Sequence, residues 1–346
     1  MASLIPTPDF LQVSFGWFQF FLILTFILHL IVMNIFVGWL IITLSEESKS
    51  YLSVPNFTRT KMPTFLAFTI NFGVAPLLFL QVLYGQFLYT SSVLMGNFWI
   101  SIIFILILTY YLTYYYDFKF STLSISNRKV ILFLVLICVL FVAFLFVNNM
   151  TLMLNPTDWY VFSKNKIGSI LHLKDPTLFP RYFHFLIASV AIGGLSLSFY
   201  ASFKKHNKEI VEKGLRWFFN ATIVQLFVGL WFIVSLPERV MLSFLGKNIW
   251  ATLFFSLAMV LIFFALFFSK RKQLKPTITS VFLLITCMVL VRDWVRREYL
   301  KEYFNPASLP LKTNYLPFIL FILFFVLTLG LIGYMIRLYL KPNREV

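Results

Sequence analysis

Long apolar runs alternate with short polar segments along the whole chain. A helix needs roughly 20 apolar residues to cross about 30 Å of hydrocarbon. Nine runs meet this rule, at 15–44, 65–92, 96–116, 130–149, 180–203, 215–236, 249–269, 277–294 and 315–340. Only a bend around Thr90 to Gly96 separates the second run from the third, which predicts a tight hairpin. We therefore expect an all-α integral membrane protein with nine transmembrane helices, forming a single transmembrane helical domain over residues 1–346.

Basic residues indicate the orientation of this bundle. One set of loops and helix ends carries 18 of the 29 Lys and Arg, and the opposite set carries 11. The richer side is expected to be cytoplasmic, so we expect the N-terminus outside and the C-terminus in the cytoplasm. The formal net charge of +16 is then explained by topology and by contacts with lipid headgroups. No nucleic-acid partner is expected.

Composition and loop lengths exclude several classes of function. With 60% hydrophobic and 12% charged residues, the chain is not an ordinary soluble protein. Only two longer connections are predicted, at 149–180 and 292–314, and both should lie outside. No soluble catalytic domain is encoded, so any aqueous chemistry must come from partners. Cys138 and Cys287 lie in apolar runs and offer neither a disulfide framework nor a haem-attachment motif.

Ionisable residues within hydrocarbon are the first candidates for function. No Asp or Glu occurs between Lys49 and Tyr116, which weighs against a proton-coupled transporter. His29 and His184 fall within predicted spans, and a neutral imidazole there can ligate haem iron. Each could equally form a hydrogen bond with a neighbouring side chain or carbonyl. His172 lies in a loop, where we expect it to be solvated or interfacial.

Two methionines, Met241 and Met259, are candidates for a second haem ligand. Arg239 and Met241 form an Arg-x-Met step just after Pro237, where a thioether could oppose a histidine and the guanidinium could pair with a propionate. Met259 is the alternative, but it lies about 15 Å into its span, at 1.5 Å per residue. Depth therefore favours Met241. Either methionine could instead fill apolar space.

These residues resemble subunit I of the cytochrome bd quinol oxidases, a membrane family with nine helices and an outside N-terminus. The run LTFILHLIVMNIFVG is similar to that family's first helix and INFGVAPLLFLQVLYG to its second, while LNP at 154–156 resembles its QNP. The resemblance implies that His29 corresponds to an axial histidine and His184 to a ligand of the low-spin haem b. It also implies that Arg239 and Met241 correspond to the Arg-x-Met that supplies the second ligand of that haem.

The chain also departs from the family. The third span has no acidic residue, and Val291 stands where an axial Glu is expected, with Asp293 two residues away. The long quinol-binding loop between helices six and seven is reduced to about a dozen residues. These departures weigh against oxygen reduction, and the family's quinol site does not carry over.

The resemblance implies a diverged bd-like subunit of a bacterial inner-membrane respiratory complex. Such a subunit would hold one or two haem b groups and pass electrons between the quinone pool and a periplasmic c-type, possibly multihaem, cytochrome, beside other membrane subunits. The catalytic residues are not identified. Arg292, Arg296, Arg297 and Lys301 could dock the partner or pair with propionates, or form a solvated cluster. A haem-free structural anchor and a transporter are the alternative readings.

Overall fold

A computed structural model describes residues 5–47, 54–160, 168–203 and 208–340, and within these ranges the protein is helical, with no strand. Seven of the basic residues in the orientation argument lie outside these ranges: Lys49, Lys164, Lys166, Lys204, Lys205, Lys341 and Arg344.

Nine long helices make up the described fold. They are α1 (Phe15–Ser45), α2 (Met62–Leu94), α3 (Gly96–Phe118), α4 (Ile125–Leu154), α5 (Leu178–Ser202), α6 (Lys208–Ser235), α7 (Ile249–Lys270), α8 (Leu274–Leu300) and α9 (Leu316–Leu340). In the described part of the chain, nine helices are long and apolar enough to cross a membrane, and α2 is counted there with the short helix Val54–Thr58. The protein is therefore a multi-pass membrane protein, as the apolar pattern predicts.

Helix ends follow local sequence signals. Only Met95 separates α2 from α3, within the predicted bend. Ser124 caps α4 by accepting a hydrogen bond from the backbone N–H of Asn127. Asn248 caps α7 in the same way, through the N–H of Ala251. Such caps satisfy backbone donors that have no partner within the helix.

The two sides of the bundle are named here after the ends of α1. On the Phe15 side, the segments before α1 and α9 meet, since Leu11 donates its N–H to the carbonyl of Pro310 at 2.7 Å. On the Ser45 side, the buried Glu47 carboxylate accepts hydrogen bonds from Tyr116 at 2.8 Å and Arg128 at 3.1 Å. Charged residues near the ends of the bundle are thus paired.

Helix α8 is longer than the apolar pattern predicts. The predicted span ends at residue 294, whereas α8 continues to Leu300. The extra turns contain charged residues that lower the hydropathy but stabilise each other within the helix. Asp293 lies 3.2 Å from Arg296 and 2.8 Å from Arg297, at i+3 and i+4. The predicted outer connection at 292–314 therefore begins as helix.

Helix α1 lies at the centre of the bundle, where it packs against α2 and α5, while α5 packs most extensively on α6. One buried apolar cluster lies toward the Phe15 side and includes Tyr84, Phe87 and Trp159. Another lies toward the Ser45 side around Trp39 and Leu132. Aromatic side chains of α9, such as Phe318 and Phe321, contact α1 and α2, and most of the α9 side chains that the structure describes are exposed.

Candidate functional site

His184 lies on α5, near the Phe15 side, and its ring is held from α6. Nδ1 of His184 is 3.0 Å from Nε2 of Gln225. The ring of Phe232 packs against the imidazole, with the centroids 5.8 Å apart. Gly229 lies between Gln225 and Phe232 on α6, and a Cβ there would lie 3.5 Å from Cε1 of His184, an ordinary contact. Helix α6 thus presents an amide and an aromatic ring to this histidine.

The Gln225 amide decides which imidazole nitrogen has a free lone pair. When Nε2 of Gln225 donates to Nδ1, the neutral histidine carries its proton on Nε2. The amide oxygen Oε1 of Gln225 is buried and makes no hydrogen bond. Rotation of the amide by about 180° would place this oxygen against Nδ1–H and leave the Nε2 lone pair of His184 free. A histidine that ligates a metal normally donates its other N–H in this way.

His29 lies on α1 and contacts α2. Its Nδ1 is 3.1 Å from the carbonyl oxygen of Thr69. A carbonyl only accepts hydrogen bonds, so Nδ1 carries the proton and Nε2 has a free lone pair. A Cβ at Gly73 would lie 2.9 Å from Cε1 of His29, which is too close without a shift. Glycine at position 73 therefore lets the imidazole approach α2, and the tautomer is the one that an iron ligand requires.

The two histidines lie at the same depth but in separate environments. Ser189 donates to Oδ1 of Asn34 at 2.7 Å, and the Cβ that Gly38 lacks would lie 2.7 Å from Cα of Gly193. In both pairs the α5 residue comes 155 positions after its α1 partner. Helices α1 and α5 therefore run parallel, with a constant register between them. His29 and His184 have that offset too and lie five residues, about 7.5 Å, before Asn34 and Ser189.

Five residues correspond to a rotation of about 140° around a helix. The two imidazoles therefore point away from the α1–α5 contact, His29 toward α2 and His184 toward α6. They do not form one pair of ligands around a single ion. The two histidines thus lie in two separate environments of similar depth, and whether either holds a haem stays a prediction.

The Arg-x-Met step lies beyond the end of α6, in the short helix Glu238–Leu242. Arg239 is paired with Glu302 and donates to the carbonyl oxygens of Glu298 at 2.8 Å and Tyr299 at 3.4 Å. Its guanidinium therefore satisfies the last turn of α8 and is not directed at His184. The expected pairing with a propionate would require Arg239 to leave these partners.

The two methionines differ in their surroundings. Met241 packs on the apolar cluster of the Phe15 side, as Phe232 does. Met259 lies on α7 and is 37% exposed, on a surface that faces lipid if α7 spans the membrane. Met241 thus packs within the protein, whereas Met259 lies at its surface, and whether either binds iron stays a prediction.

Three arginines beside the histidines form what we call the arginine cluster: Arg181, Arg292 and Arg296. Arg181 is buried on α5, three residues before His184, and its guanidinium lies 5.2 Å from the ring of Phe232. Arg292 lies 4.1 Å from the ring of Phe26, whose centroid is 6.3 Å from that of His29. Each histidine thus shares a neighbouring phenylalanine ring with an arginine.

The arginine cluster carries more positive charge than its partners balance. Asp293 is buried and pairs with Arg296 at 3.2 Å and with Arg297 at 2.8 Å. Arg292 is within electrostatic range of both Arg181 and Arg296. The buried Nε atoms of Arg181 and Arg296 make no hydrogen bond. Asp175 also lies within electrostatic range of Arg181, and Asp293 of Arg292. Among the described residues, the three arginines and Arg297 thus share these two carboxylates. Because incompletely balanced buried charge is costly, the arginine cluster would favour an anionic group of a ligand.

The environment of His172 differs from the prediction. It was expected to be solvated or interfacial, but it is buried beneath the Phe15 side. Its Nε2 lies 2.8 Å from Asp158 and its Nδ1 lies 3.8 Å from Asp175. The backbone N–H of His172 donates to Asn148 at 3.0 Å. These contacts hold the connection between α4 and α5 onto the bundle.

Sequence reasoning did not single out Gln225 or Arg181 as site residues. Gln225 and His184 are 41 residues apart, so no local motif links them. A polar residue deep in an apolar run was the one available signal.

The sequence matches no protein-family model and no curated protein. Among the described residues, no group of three or more His, Cys, Asp or Glu side chains could hold a metal ion. A haem iron needs only one or two ligands from the protein, so the fit to haem depends on the individual histidines and on their neighbours.

Proposed function

We propose that the protein is a membrane electron-transfer subunit of a respiratory oxidoreductase, with His184 as a ligand of haem b and His29 as a ligand of a second haem. The proposed complex passes electrons between the quinone pool and a c-type cytochrome. The observation that carries the proposal is the setting of the histidines: two membrane-embedded imidazoles at one depth, each oriented through Nδ1 by the neighbouring helix.

The surroundings of the histidines support haem more than another metal centre. Unpartnered guanidinium nitrogens in the arginine cluster fit the carboxylates of a propionate-bearing macrocycle. Gly73 lets the His29 imidazole pack against α2, and Gln225 has a free amide oxygen that can accept from Nδ1–H of His184. When bound, haem b would supply one-electron transfer. The protein's part is to hold iron through Nε2, balance the propionate charge and keep water out.

The orientation of the bundle is part of the proposal. The balance of basic residues favours the Phe15 side outside, which in a bacterial inner membrane would face the periplasm. Exposed basic side chains there, such as Lys174 and Lys312, can attract an acidic face of a soluble cytochrome. The arginine cluster lies on the same side, so the proposed haem beside His184 would be close to the partner.

A reduced-minus-oxidised optical spectrum of the purified protein tests haem binding. We expect a haem b band in the wild type and a loss of at least half of its intensity in His184→Ala, since that substitution removes an iron ligand. Tyr182→Phe is the matched control on α5. It removes only a hydrogen bond of 3.0 Å to the carbonyl of Leu140, so its spectrum should be unchanged.

Three other outcomes would contradict haem binding or the assignment of its ligands. Protein that is folded, fully supplied with haem and still without the band would support a haem-free anchor subunit and contradict electron transfer. Full band intensity in both His184→Ala and His29→Ala would show that other residues ligate the iron. A band that disappears in Tyr182→Phe as well would mean that the spectrum reports general damage to α5.

A further inference from the structure

A second possible binding site lies at the opposite side of the bundle. A cleft of about 490 Å³ opens where the end of α1 meets α5 and α6 near the Ser45 side. One wall is a stripe along α6 formed by Lys213, Arg216, Trp217, Asn220, Ala221 and Val224. These residues are spaced by three or four positions, so they lie on one face of the helix.

The polarity of this stripe changes with depth. Lys213 and Arg216 come first, Trp217 and Asn220 follow, and Ala221 and Val224 complete the stripe deeper in the bundle. The eleven-residue step from Lys213 to Val224 corresponds to about 16 Å at 1.5 Å per residue. Half of a bilayer's hydrocarbon core is roughly 15 Å thick. The cleft therefore has the length and the polarity order of one lipid leaflet.

The other wall continues this pattern. Ile187 and Val190 of α5 line the deep part of the cleft and Glu46 lines its charged end. Arg216, Asn220 and Val224 are exposed, so the cleft opens to the membrane-facing surface of α6. An occupant with a polar head and an apolar chain can therefore enter from the bilayer without crossing the bundle.

The charges at the cleft favour an anion. Glu46 accepts from Lys213 at 2.9 Å and from Trp217 at 3.4 Å, so Lys213 is already compensated. Glu212 pairs with Lys272 at 2.7 Å. Among the described residues, no ion pair within 4.0 Å involves Arg216. Glu212 lies one turn before Arg216 and within electrostatic range of it, so Arg216 and Lys272 share that carboxylate. Lys213, Arg216 and Lys272 against Glu46 and Glu212 leave one positive charge in excess, beside an exposed arginine that can bind a phosphate through two N–H groups.

We propose that this cleft binds one anionic phospholipid. Its phosphate would contact Arg216 and Asn220, and one acyl chain would lie against Val224, Ile187 and Val190. The proposal is independent of haem. The apolar depth of the cleft distinguishes a lipid from a free phosphate, because a phosphate ion would use only the charged end.

Native mass spectrometry of delipidated protein can measure this binding. We expect dioleoylphosphatidylglycerol to bind with one saturable site and with at least tenfold higher affinity than dioleoylphosphatidylcholine. Arg216→Gln should weaken phosphatidylglycerol binding by roughly tenfold, the effect of losing one hydrogen-bonded charge. Val224→Trp should weaken it too, since the indole fills the apolar depth while leaving the charges intact.

Arg271→Gln is the matched control, because Arg271 is an exposed arginine at the same side, packed on Phe267 outside the cleft. Its phosphatidylglycerol affinity should equal that of the wild type. The proposal is overturned if Arg216→Gln and Arg271→Gln behave alike, if both lipids bind equally, or if inorganic phosphate displaces phosphatidylglycerol at equal concentration. Size-exclusion profiles confirm that each variant is folded.

Discussion

The two histidines depend on different kinds of hydrogen-bond partner. The partner of His29 is the main-chain carbonyl of Thr69, which no substitution of that residue removes. The partner of His184 is the side chain of Gln225, which a single substitution can remove. A ring nitrogen in hydrocarbon that loses its partner is left unsatisfied, at a cost of about 1–3 kcal/mol. The orientation of His184 is therefore the one that mutagenesis can test.

We predict that Gln225→Leu lowers the affinity for haem b by 10- to 100-fold, the usual effect of removing a group that orients a metal-ligating histidine. Gln225→Glu should retain most of the affinity, because a carboxylate accepts from Nδ1–H. Haem titration followed by absorbance measures both. Gln81→Leu, on α2 and outside the site, is the control and should bind as the wild type does. Equal affinity in Gln225→Leu and wild type would show that Gln225 does not orient His184.

The sequence identifies the residue types of the site better than their partners. An imidazole inside an apolar run is visible without a structure, so His29 and His184 could be chosen directly. The partner of Arg239 could not, because Glu302 belongs to another helix connection 63 residues later. Gln225 was overlooked for the same reason. Such contacts depend on which helices are neighbours, and hydropathy does not specify that.

At the scale of helices, small residues set the distance between α1 and α5. A Cβ added to Gly193 would lie 2.5 Å from Cα of Gly38 and 2.6 Å from its carbonyl carbon. Backbone atoms cannot move aside as a flexible side chain can. Close packing of this kind is typical of membrane helices with small residues at their contact. The register that places His29 and His184 at one depth depends on this approach.

We predict that Gly193→Ala destabilises the protein by about 1–3 kcal/mol, the usual cost of overpacking. The main cause is that the new methyl group forces α1 and α5 apart. Denaturant unfolding in detergent, followed by tryptophan fluorescence, provides the measurement. Gly330→Ala on α9 is the control, since no atom lies within 4 Å of the added Cβ. An unfolding midpoint for Gly193→Ala equal to that of Gly330→Ala would contradict close packing of α1 and α5.

Hydropathy predicts the existence of the helices more reliably than their ends. All nine predicted spans overlap one of the nine described spans. The ends differ where charge interrupts the apolar run. Helix α6 begins at Lys208, seven residues before the predicted 215, and α8 extends past 294 to Leu300. Charged side chains pair within or between helices at these ends. The mean hydropathy of a sequence window does not detect such pairing.

At the scale of the whole molecule, the two sides of the bundle have different charge arrangements. Toward the Phe15 side, Arg181, Arg292, Arg296 and Arg297 share the carboxylates of Asp175 and Asp293. On the Ser45 side, Glu47 and Asp117 pair with Arg128 and Arg59, at 3.1 and 3.2 Å. The proposed haem chemistry and partner docking therefore belong to the Phe15 side, and the orientation of the bundle decides whether that side faces the periplasm.

Orientation can be tested with single cysteines, because Cys138 and Cys287 are the chain's own cysteines and both lie within helices. We predict that Ser308→Cys, exposed on the Phe15 side, reacts with a membrane-impermeant maleimide in intact spheroplasts. Ser121→Cys, exposed on the Ser45 side, should react only after the membrane is opened. Maleimide labelling of the wild-type protein gives the background from Cys138 and Cys287. The reverse pattern would place the arginine cluster toward the cytoplasm, and electron transfer to a periplasmic cytochrome from that side would then be excluded.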